Sequence, residues 1–309
     1  MKAQRLACEA HSKPWGRQAE ALPWLAGLVD ASAWAGQRVG ELWFADRRAP
    51  AGDAVLQAQA TGGAEDLLIK LLATSEPLSI QVHPDDAYAQ QHHGWPCGKH
   101  EAWVVLEAEP QARIGLGLKQ AISAAQLRQA ALDGTLPGLL DWRPVRRGDV
   151  IDVPPGTIHA IGAGLTLLEV QQPVDATFRL YDFSRGRELH LDAACVVSRL
   201  QPYGQTFQHD EAPQEQAVVC DAGPFTLEAW RWVGARSLVP AADQTVWVIP
   251  IQGSCRIDGQ PAEPLSVWRL QVPCTVEMSA PARCVATYAH PGRTVPLATP
   301  LRRPMVQPV

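Results

Sequence analysis

Short apolar runs, separated by Gly, Pro and Asp, divide most of this 309-residue chain. Runs of this kind, rich in Val, Ile, Leu and Trp, predict β-strands. In the first two thirds of the chain the predicted strands cover residues 67–74, 78–83, 102–108, 112–118, 149–153, 165–171 and 176–182. Many short strands with turn residues between them are typical of an antiparallel sandwich or barrel, so we expect a mainly β fold.

Helical patterns are confined to two stretches. The first covers residues 20–28 and continues loosely toward Trp34. The second, 123–133, is rich in Ala, Leu and Gln. It begins at Ser123, which is suited to an N-cap, and Gly134 is a suitable stop. We therefore expect few helices.

The pattern changes near residue 200. A polar stretch without periodicity, 208–216, predicts a linker, and the Pro- and Arg-rich tail, 293–309, is predicted to be extended. Between them, strands are predicted at 225–233, 245–251, 254–257, 265–272 and 284–288. We therefore predict two domains, at 1–205 and 206–309, of which the second is all-β and has no metal site of its own.

Composition limits the classes of function. The net charge is −5, which argues against non-specific binding to nucleic acid or to an anionic membrane. A phosphate site in such a chain needs a local cluster of Lys and Arg. No apolar segment reaches the roughly 20 residues of a membrane span, and the first fifteen residues lack the apolar core of a signal peptide. Seven dispersed cysteines predict reduced thiols and a cytoplasmic protein.

Three segments of the first domain carry side chains suited to metal binding. Gln81 and His83 are two residues apart in a predicted strand, so they project from the same face. Glu101 stands at the mouth of an apolar strand, and a Pro-Pro-Gly turn at 154–156 leads to His159. Such a turn is rigid and places one imidazole accurately. Taken singly, each segment has an ordinary alternative, namely a pair lining the barrel, a solvated carboxylate or a buried histidine.

Taken together, the three segments have the ligand order of the cupin barrel: a His, a carboxylate and, after a long gap, a Pro-Gly turn with a second His. Ligands from adjacent strands converge near one end of such a barrel and leave coordination positions for water or substrate. A set of N and O donors without thiolate suits zinc, manganese, iron or nickel, and the ligand types alone do not choose among these metals.

Longer motifs carry a family resemblance. They are EPLSIQVHPDD at 76–86, GKHEAW at 98–103, VPPGTIHAI at 153–161 and LEVQQPVDATFRLYD at 168–182. In this order they resemble the type I mannose-6-phosphate isomerases, which are cupins with a double-stranded β-helix or jelly-roll barrel. The shorter KPWG at 13–16 and GELW at 40–43 look like the opening motifs of that family. The chain length and the single helical insert are similar to the short bacterial form.

The resemblance implies one zinc ion per chain, held by Gln81 through its amide oxygen and by His83, Glu101 and His159. It implies a sugar-phosphate substrate and the reversible interconversion of mannose 6-phosphate and fructose 6-phosphate. In that reaction a proton moves between C2 and C1 through an enediol intermediate after ring opening. It also implies that the second domain is a smaller cupin-like barrel with a structural role.

Four further residues receive catalytic roles. Lys99 precedes Glu101 by two residues, so both would face one cavity, with Lys99 either as proton shuttle or as electrostatic clamp. Arg179 matches the arginine that the family places over the substrate. Glu169 and Asp175, also at family positions, could act as acid or base, or could orient the two cations. The identity of the catalytic base stays open at this point.

Other readings also stay open. Arg185 and Arg187 follow the fourth motif and could either bind the phosphate or form a surface cluster. The chain could isomerise another aldose or aldose phosphate, or it could be a non-catalytic sugar-binding cupin. A pure binding module has no need of Lys99 and Arg179, which favours the enzyme. The sequence is compatible with a monomer or a homodimer.

Overall fold

The computed structural model describes residues 3–45, 67–209, 215–240, 244–279, 282–289 and 298–300. The chain divides into two compact units. The large unit comprises Ala7–Glu211, and the small unit comprises Met1–Leu6 together with Ala212–Val309.

The two units are built mainly of strands. In chain order these are β1 (Ala3–Arg5), β2 (Ala7–His11), β3 (Arg17–Gln18), β4 (Arg38–Val39), β5 (Glu41–Ala45), β6 (Leu68–Ala73), β7 (Ile80–Val82), β8 (Glu101–Ala108), β9 (Arg113–Leu118), β10 (Leu140–Pro144), β11 (Asp149–Val153), β12 (His159–Ile161), β13 (Leu165–Gln171), β14 (Phe178–Tyr181), β15 (Gln208–His209), β16 (Gln216–Asp221), β17 (Phe225–Trp230), β18 (Gly234–Leu238), β19 (Val246–Gln252), β20 (Cys255–Ile257), β21 (Gln260–Ala262), β22 (Trp268–Leu270), β23 (Cys274–Met278), β24 (Arg283–Ala289) and β25 (Ala298–Pro300). The α-helices are α1 (Asp86–His93), α2 (Ala124–Asp133), α3 (Leu136–Leu139) and α4 (Leu191–Val197). Short 3₁₀ helices lie at Ala19–Ala21, Leu25–Gly27 and Ala31–Trp34.

Two large antiparallel sheets and the short pair β3–β4 form the large unit in its described residues. One has the strand order β15-β11-β8-β13-β6-β5-β2, and the other has the order β10-β9-β12-β7-β14. Alternate side chains of both sheets meet in a single apolar cluster, to which the first sheet contributes Trp103 and Leu167 and the second contributes Ile114 and Leu116. This cluster fills part of the space between the sheets, and polar side chains occupy another part, described below.

Helices cover the opposite face of the second sheet. Val82 and Leu180 on that face pack with Leu127 of α2 and Ala194 of α4. Helix α2 begins as predicted, because Ser123 accepts from the backbone N–H of Gln126 while the Gln126 side chain accepts from the Ser123 N–H. This sheet therefore has a buried face on each side, and its strands are held firmly enough to present side chains at defined positions.

The small unit is also built of two sheets. Their strand orders are β1-β22-β19-β24-β17-β16 and β21-β20-β23-β18-β25. A core that includes Trp230, Val248 and Trp268 from the first sheet and Val276 from the second lies between them. The N-terminal strand β1 pairs with β22, with Ala3 opposite Leu270, so the start of the chain completes the edge of this sheet.

The structure confirms the mainly β fold with few helices, and every predicted strand coincides with an observed one apart from a few residues at the ends. The helix predicted over 20–28 is wrong. Pro23 lacks the backbone N–H that an α-helix needs and disfavours helical geometry at Leu22, so this segment forms separate 3₁₀ turns. Helices α1 and α4 were not predicted. The tail 293–309 lies outside the described residues except for β25.

Candidate metal centre

Three predicted ligands lie together in the large unit. His83, Glu101 and His159 are buried, and the candidate ligand atoms of all three lie within 4.8 Å of one another. Each stands at the end of a strand, since His83 follows β7, Glu101 begins β8 and His159 begins β12. Residues separated by up to 76 positions in the chain thus meet between the two sheets, as the cupin order predicts.

Backbone contacts hold the three ligand segments in place. The N–H of Gly156 donates to the carbonyl of His83 (2.9 Å). Gly156 has a φ of 83°, a backbone conformation that residues with a side chain rarely adopt. The N–H of Lys99 donates to the carbonyl of Pro84 (3.0 Å). Gly98 lies so close to this loop that a Cβ there would be 2.3 Å from the Pro84 carbonyl oxygen. The glycines therefore allow the close approach that brings the ligand segments together.

Hydrogen bonds determine the tautomers of both histidines. Nδ1 of His83 lies 2.6 Å from the carbonyl oxygen of Ala176, and Nδ1 of His159 lies 2.9 Å from that of Thr157. A carbonyl oxygen only accepts, so each Nδ1 carries the proton and each Nε2 carries a lone pair. Burial is the main cause that lowers the pKa of both imidazoles, and it lowers the pKa of His159 to about 3. Both rings are therefore neutral.

These lone pairs face a carboxylate. Nε2 of His83 is 3.4 Å from Oε2 of Glu101, and Nε2 of His159 is 3.2 Å from Oε1. Within the described part of the chain, His83 Nε2 and Glu101 Oε1 are buried without a partner of hydrogen-bond geometry, whereas Glu101 Oε2 has the Lys99 ammonium 2.9 Å away. Acceptors that face one another in a buried place are unfavourable unless a cation lies between them. Two imidazoles bonded to backbone carbonyls through Nδ1, together with a carboxylate, are a donor set that fits a first-row metal ion.

Gln81 adjoins the same cluster. It lies opposite His159 in the pairing of β7 with β12, so the two side chains share a face. Its Nε2 is 3.2 Å from His159 Nε2, and its Oε1 accepts from the hydroxyl of Ser79 (3.2 Å). The amide nitrogen therefore faces the cluster. Gln81 can offer its oxygen only after its side-chain amide flips, which exchanges the positions of the nitrogen and the oxygen.

A set of charged side chains, buried except for the half-buried Asp175, continues the cluster. Lys99 Nζ lies 2.9 Å from Glu101 Oε2, 3.6 Å from Asp175 Oδ1 and 3.9 Å from Glu169 Oε1. Lys70, which was not predicted from the sequence, lies 2.6 Å from Asp175 Oδ1 and 3.6 Å from Glu169 Oε1. The sequence does carry a signal for Lys70, because this lysine interrupts the otherwise apolar strand β6. A lysine is almost never buried unless it is paired, so such a position predicts an acidic partner.

The charges in this set affect one another's pKa values. Burial opposes the charge of Lys99, but Glu101, Glu169 and Asp175 outweigh it and raise the pKa of Lys99. Burial would raise the pKa of Asp175, yet Lys70 and Lys99 hold that pKa well below its ordinary value. Glu169 behaves differently, because burial together with the charge of Glu101 raises its pKa to about 7 despite the two lysines. The Trp103 indole N–H donates to Glu169 Oε2 (3.0 Å).

Arg179 lies on the same side of the second sheet as Gln81, because the two residues are directly opposite in the pairing of β14 with β7. Its NH1 donates to the carbonyl of Glu188 (2.7 Å), and its backbone N–H donates to His190 Nδ1 (3.0 Å). No carboxylate lies within ion-pair distance of Arg179 in the ranges that the structure covers. The charges of Asp182 and Glu188 favour its ionised form from beyond ion-pair distance, so Arg179 is a cation on the Gln81 side of the sheet that no described carboxylate contacts directly.

Three neighbouring histidines in the chain have other partners. His100 Nε2 is 2.7 Å from Asp152 Oδ1, and its backbone N–H donates to Gln172 Oε1 (2.8 Å). His92 and His93 belong to the last turn of α1 and not to a loop, and their rings stack on Tyr88 and Trp95 respectively. None of the helices in the described ranges is long and apolar enough to cross a membrane.

The chain is similar in sequence to known mannose-6-phosphate isomerases. The chain is 46% identical over 177 residues to mannose-6-phosphate isomerase of Streptococcus mutans serotype c, a match that covers 55% of each protein. It is 33% identical over 220 residues to mannose-6-phosphate isomerase ManA of Bacillus subtilis, a match that covers 68% of this chain and 67% of the relative. The chain matches no protein-family model.

Solved structures share the fold. The crystal structure of mannose 6-phosphate isomerase from Bacillus subtilis superposes with a TM-score of 0.73 at 24% identity, and the match covers 93% of this chain and 100% of that one. A zinc-bound mannose 6-phosphate isomerase superposes with a TM-score of 0.70 at 15% identity, covering 94% and 100%. These likenesses confirm the cupin-type fold that was predicted from the sequence.

Proposed function

This chain belongs to the mannose-6-phosphate isomerase family, and we propose that it interconverts mannose 6-phosphate and fructose 6-phosphate by proton transfer between C2 and C1 of the open-chain sugar. The observation that carries the proposal is the buried His–Glu–His cluster beside two buried lysines, the buried Glu169 and the half-buried Asp175. A metal site alone would suit a sugar-binding protein as well. An acid–base group with a pKa near neutrality next to fixed cations suits a proton-transfer enzyme.

In this proposal one zinc ion per chain is held by His83, Glu101 and His159, with the amide oxygen of Gln81 as a fourth ligand. The buried acceptors His83 Nε2 and Glu101 Oε1, which no described donor satisfies, support it, as does the zinc-bound protein of the same fold. When bound, the ion supplies a Lewis-acidic charge close to the substrate oxygens. For Gln81 to become the fourth ligand, its side-chain amide must flip and give up the hydrogen bond from the Ser79 hydroxyl.

Glu169 is the proposed acid–base group, and Asp175 is a positioning residue. A general base works best when its pKa is close to the working pH, and the pKa of Glu169 is raised to about 7 by burial. The pKa of Asp175 lies well below its usual range, so Asp175 stays ionised and is a weak base. Its contacts with Lys70 and Lys99 hold both ammonium groups beside Glu169.

Lys99 is proposed as the electrostatic clamp rather than as the proton shuttle. Its raised pKa keeps the ammonium charged, so it is a poor base. Removing a proton next to a carbonyl places negative charge on the substrate oxygen, and a fixed ammonium stabilises that charge. Arg179, which lacks a carboxylate partner in the described ranges, is the second cation proposed to face the substrate.

The proposed location is the cytoplasm, which agrees with the seven cysteines, all of them outside disulfides. One zinc ion per chain is proposed.

The direct test is isomerisation of mannose 6-phosphate by the purified protein, before chelation, after chelation and after adding zinc back. We expect turnover to disappear on chelation and to return with zinc, while circular dichroism shows that the chelated protein remains folded. Absence of turnover in protein with one measured equivalent of zinc would contradict the proposal.

The pH dependence tests the assignment of Glu169. We expect kcat/KM for mannose 6-phosphate to fall as the pH drops through about 7, because the base must be deprotonated. Lys70→Met removes a positive charge 3.6 Å from Glu169 Oε1 that now lowers the pKa of this carboxyl. The midpoint should therefore move upward by about one pH unit. Lys119→Met, at an exposed site, is the matched control, and a midpoint that stays fixed or moves downward in Lys70→Met would rule out Glu169 as the titrating base.

A further inference from the structure

Three sulfur atoms meet in the core of the small unit. Cys284 Sγ lies 3.8 Å from Cys255 Sγ and 3.6 Å from Met278 Sδ. Cys255 and Met278 are directly opposite each other in the pairing of β20 with β23, so their side chains project from the same face. Cys284 belongs to β24 in the other sheet of this unit. Both sheets therefore contribute to one group of three sulfurs, which we call the sulfur cluster.

The sulfur cluster lies at one end of the strands that carry it. Cys255 is the first residue of β20, Met278 is the last residue of β23 and Cys284 is the second residue of β24. The three residues are only 1% to 3% exposed. Their chain neighbours Ser254 and Ser279 are exposed, and the Ser279 N–H donates to the Ser254 carbonyl (3.1 Å). The cluster is thus buried one residue away from exposed backbone, where a small ion can enter by a local opening.

The two thiols of the cluster differ in acidity. The Cys284 S–H donates to Cys255 Sγ, and this contact lowers the pKa of Cys255 although burial acts against it. The same contact, together with burial, raises the pKa of Cys284 well above its ordinary value. Cys255 is therefore the thiol that ionises first, and the thiolate is the form that binds metals. Cys284 and Met278 are neutral sulfur donors beside it.

The charge of the cluster favours a monovalent ion. An apolar core disfavours a buried net charge. When a monovalent cation replaces one thiol proton, the cluster stays neutral, whereas a divalent ion would leave a positive charge unless both thiols ionised. The high pKa of Cys284 opposes that second ionisation.

The donor atoms and their spacing favour Cu(I). Thiolate and thioether sulfurs are soft ligands, the kind that Cu(I) prefers. Metal–sulfur bonds of about 2.3 Å place three sulfurs around one ion about 4 Å apart. The observed separations of 3.8 Å and 3.6 Å are close to this value, so only small side-chain movements are needed. Zinc prefers four ligands and suits this set of three sulfurs less well.

We propose that Cys255, Cys284 and Met278 form a binding site for one Cu(I) ion, separate from the His–Glu–His cluster and independent of the proposed function. On binding, the S–H bond of Cys255 breaks, its proton goes to solvent and a Cu–S bond forms, so copper keeps its oxidation state. Cys284 and Met278 complete the coordination through their lone pairs. The ion then links the two sheets of the small unit, and its binding stabilises the folded state.

Anaerobic titration of the zinc-loaded protein with Cu(I), in competition with a chromogenic Cu(I) chelator, tests the site. We expect wild type to bind one equivalent, and X-ray absorption at the copper edge to show sulfur ligands without imidazole nitrogen. Cys284→Ala should weaken binding more than about a hundredfold, because loss of a mere supporting partner already costs about ten- to a hundredfold. Met278→Leu preserves the volume of the core and should weaken binding by about tenfold.

Cys274→Ala is the matched control. Cys274 is on the same strand as Met278 and equally buried, but it lies four residues, or about 13 Å, farther along that strand. Its substitution should leave the Kd for Cu(I) within twofold of wild type. In thermal unfolding followed by circular dichroism, Cu(I) should raise the midpoint of wild type and of Cys274→Ala, and should not raise that of Cys284→Ala.

Two results would overturn the assignment. One is a Kd for Cu(I) within twofold of wild type in Met278→Leu, a variant that decides the question even if Cys284→Ala does not fold. The other is a copper spectrum dominated by nitrogen ligands, which would place the ion on histidines. Either result would leave the proposed function untouched, because zinc content and isomerisation are measured separately. Conversely, sulfur-bound Cu(I) in a protein without isomerase activity would support this site and contradict the proposed function.

Discussion

Glu101→Gln should remove the bound metal and lower kcat/KM for mannose 6-phosphate by about a thousandfold, equivalent to about 4 kcal/mol of transition-state stabilisation. Glutamine has nearly the shape of glutamate, so the fold should persist. It lacks the negative charge that faces the two imidazole lone pairs and the Lys99 ammonium. Metal content by elemental analysis and turnover measured on the same sample would check the prediction.

Glu107→Gln is a matched control for this substitution. Glu107 is on the same strand, β8, but at its exposed end, where it accepts from the Thr166 hydroxyl (2.8 Å). We expect full metal content and activity within twofold of wild type for this variant. If Glu101→Gln kept one equivalent of tightly bound zinc and normal turnover, the assignment of the His–Glu–His cluster as the metal centre would be wrong.

Lys99→Met should lower kcat by about a thousandfold while one equivalent of metal remains bound. The substitution removes the ammonium group but leaves His83, Glu101 and His159 unchanged. It also deprives the buried carboxylates of a partner within 4 Å, which should cost about 3 kcal/mol of folding stability. Elemental analysis, kcat and urea unfolding together would separate loss of chemistry from loss of metal.

Lys119→Met provides the comparison for Lys99→Met. Lys119 is exposed and donates to the carbonyl of Gly138 (2.7 Å), so its loss should change neither kcat nor the unfolding midpoint appreciably. Lys99→Met protein that retained more than half of the wild-type kcat would eliminate the clamp role. Loss of zinc in proportion to activity would instead mean that Lys99 acts only by supporting Glu101.

The parts of the fold that could be predicted from the sequence are those with a strong local pattern. Apolar strands such as β6, β8 and β13 stand out, and the capping box at Ser123 defines the start of α2. Helix α1 could not be predicted in this way, because its sequence is polar and the structure buries only Ala89. The pairing of β1 with a strand about 265 residues later has no local signal at all.

The candidate site shows a similar division. The spacing of His83, Glu101 and His159 could be matched to a ligand order because turns and strand ends leave recognisable motifs. The acid–base roles of Glu169 and Asp175 could not be separated, since their pKa values move in opposite directions only through burial and through the lysines that folding brings near. Lys70 was not predicted either, because its partners Glu169 and Asp175 are far from it in the sequence and meet it only in the folded chain.

The pairing of β1 with β22 also affects how the protein is made. Ala3 and Arg5 are synthesised about 265 residues before their partners Leu270 and Trp268. At about 5–20 residues per second, the first strand waits roughly 13 to 50 seconds for its partner. The large unit lies between the two segments and can fold during this time, whereas the small unit needs both of them. Closure of that sheet is therefore expected to be a late and slow step of folding, because contacts so distant in sequence form slowly.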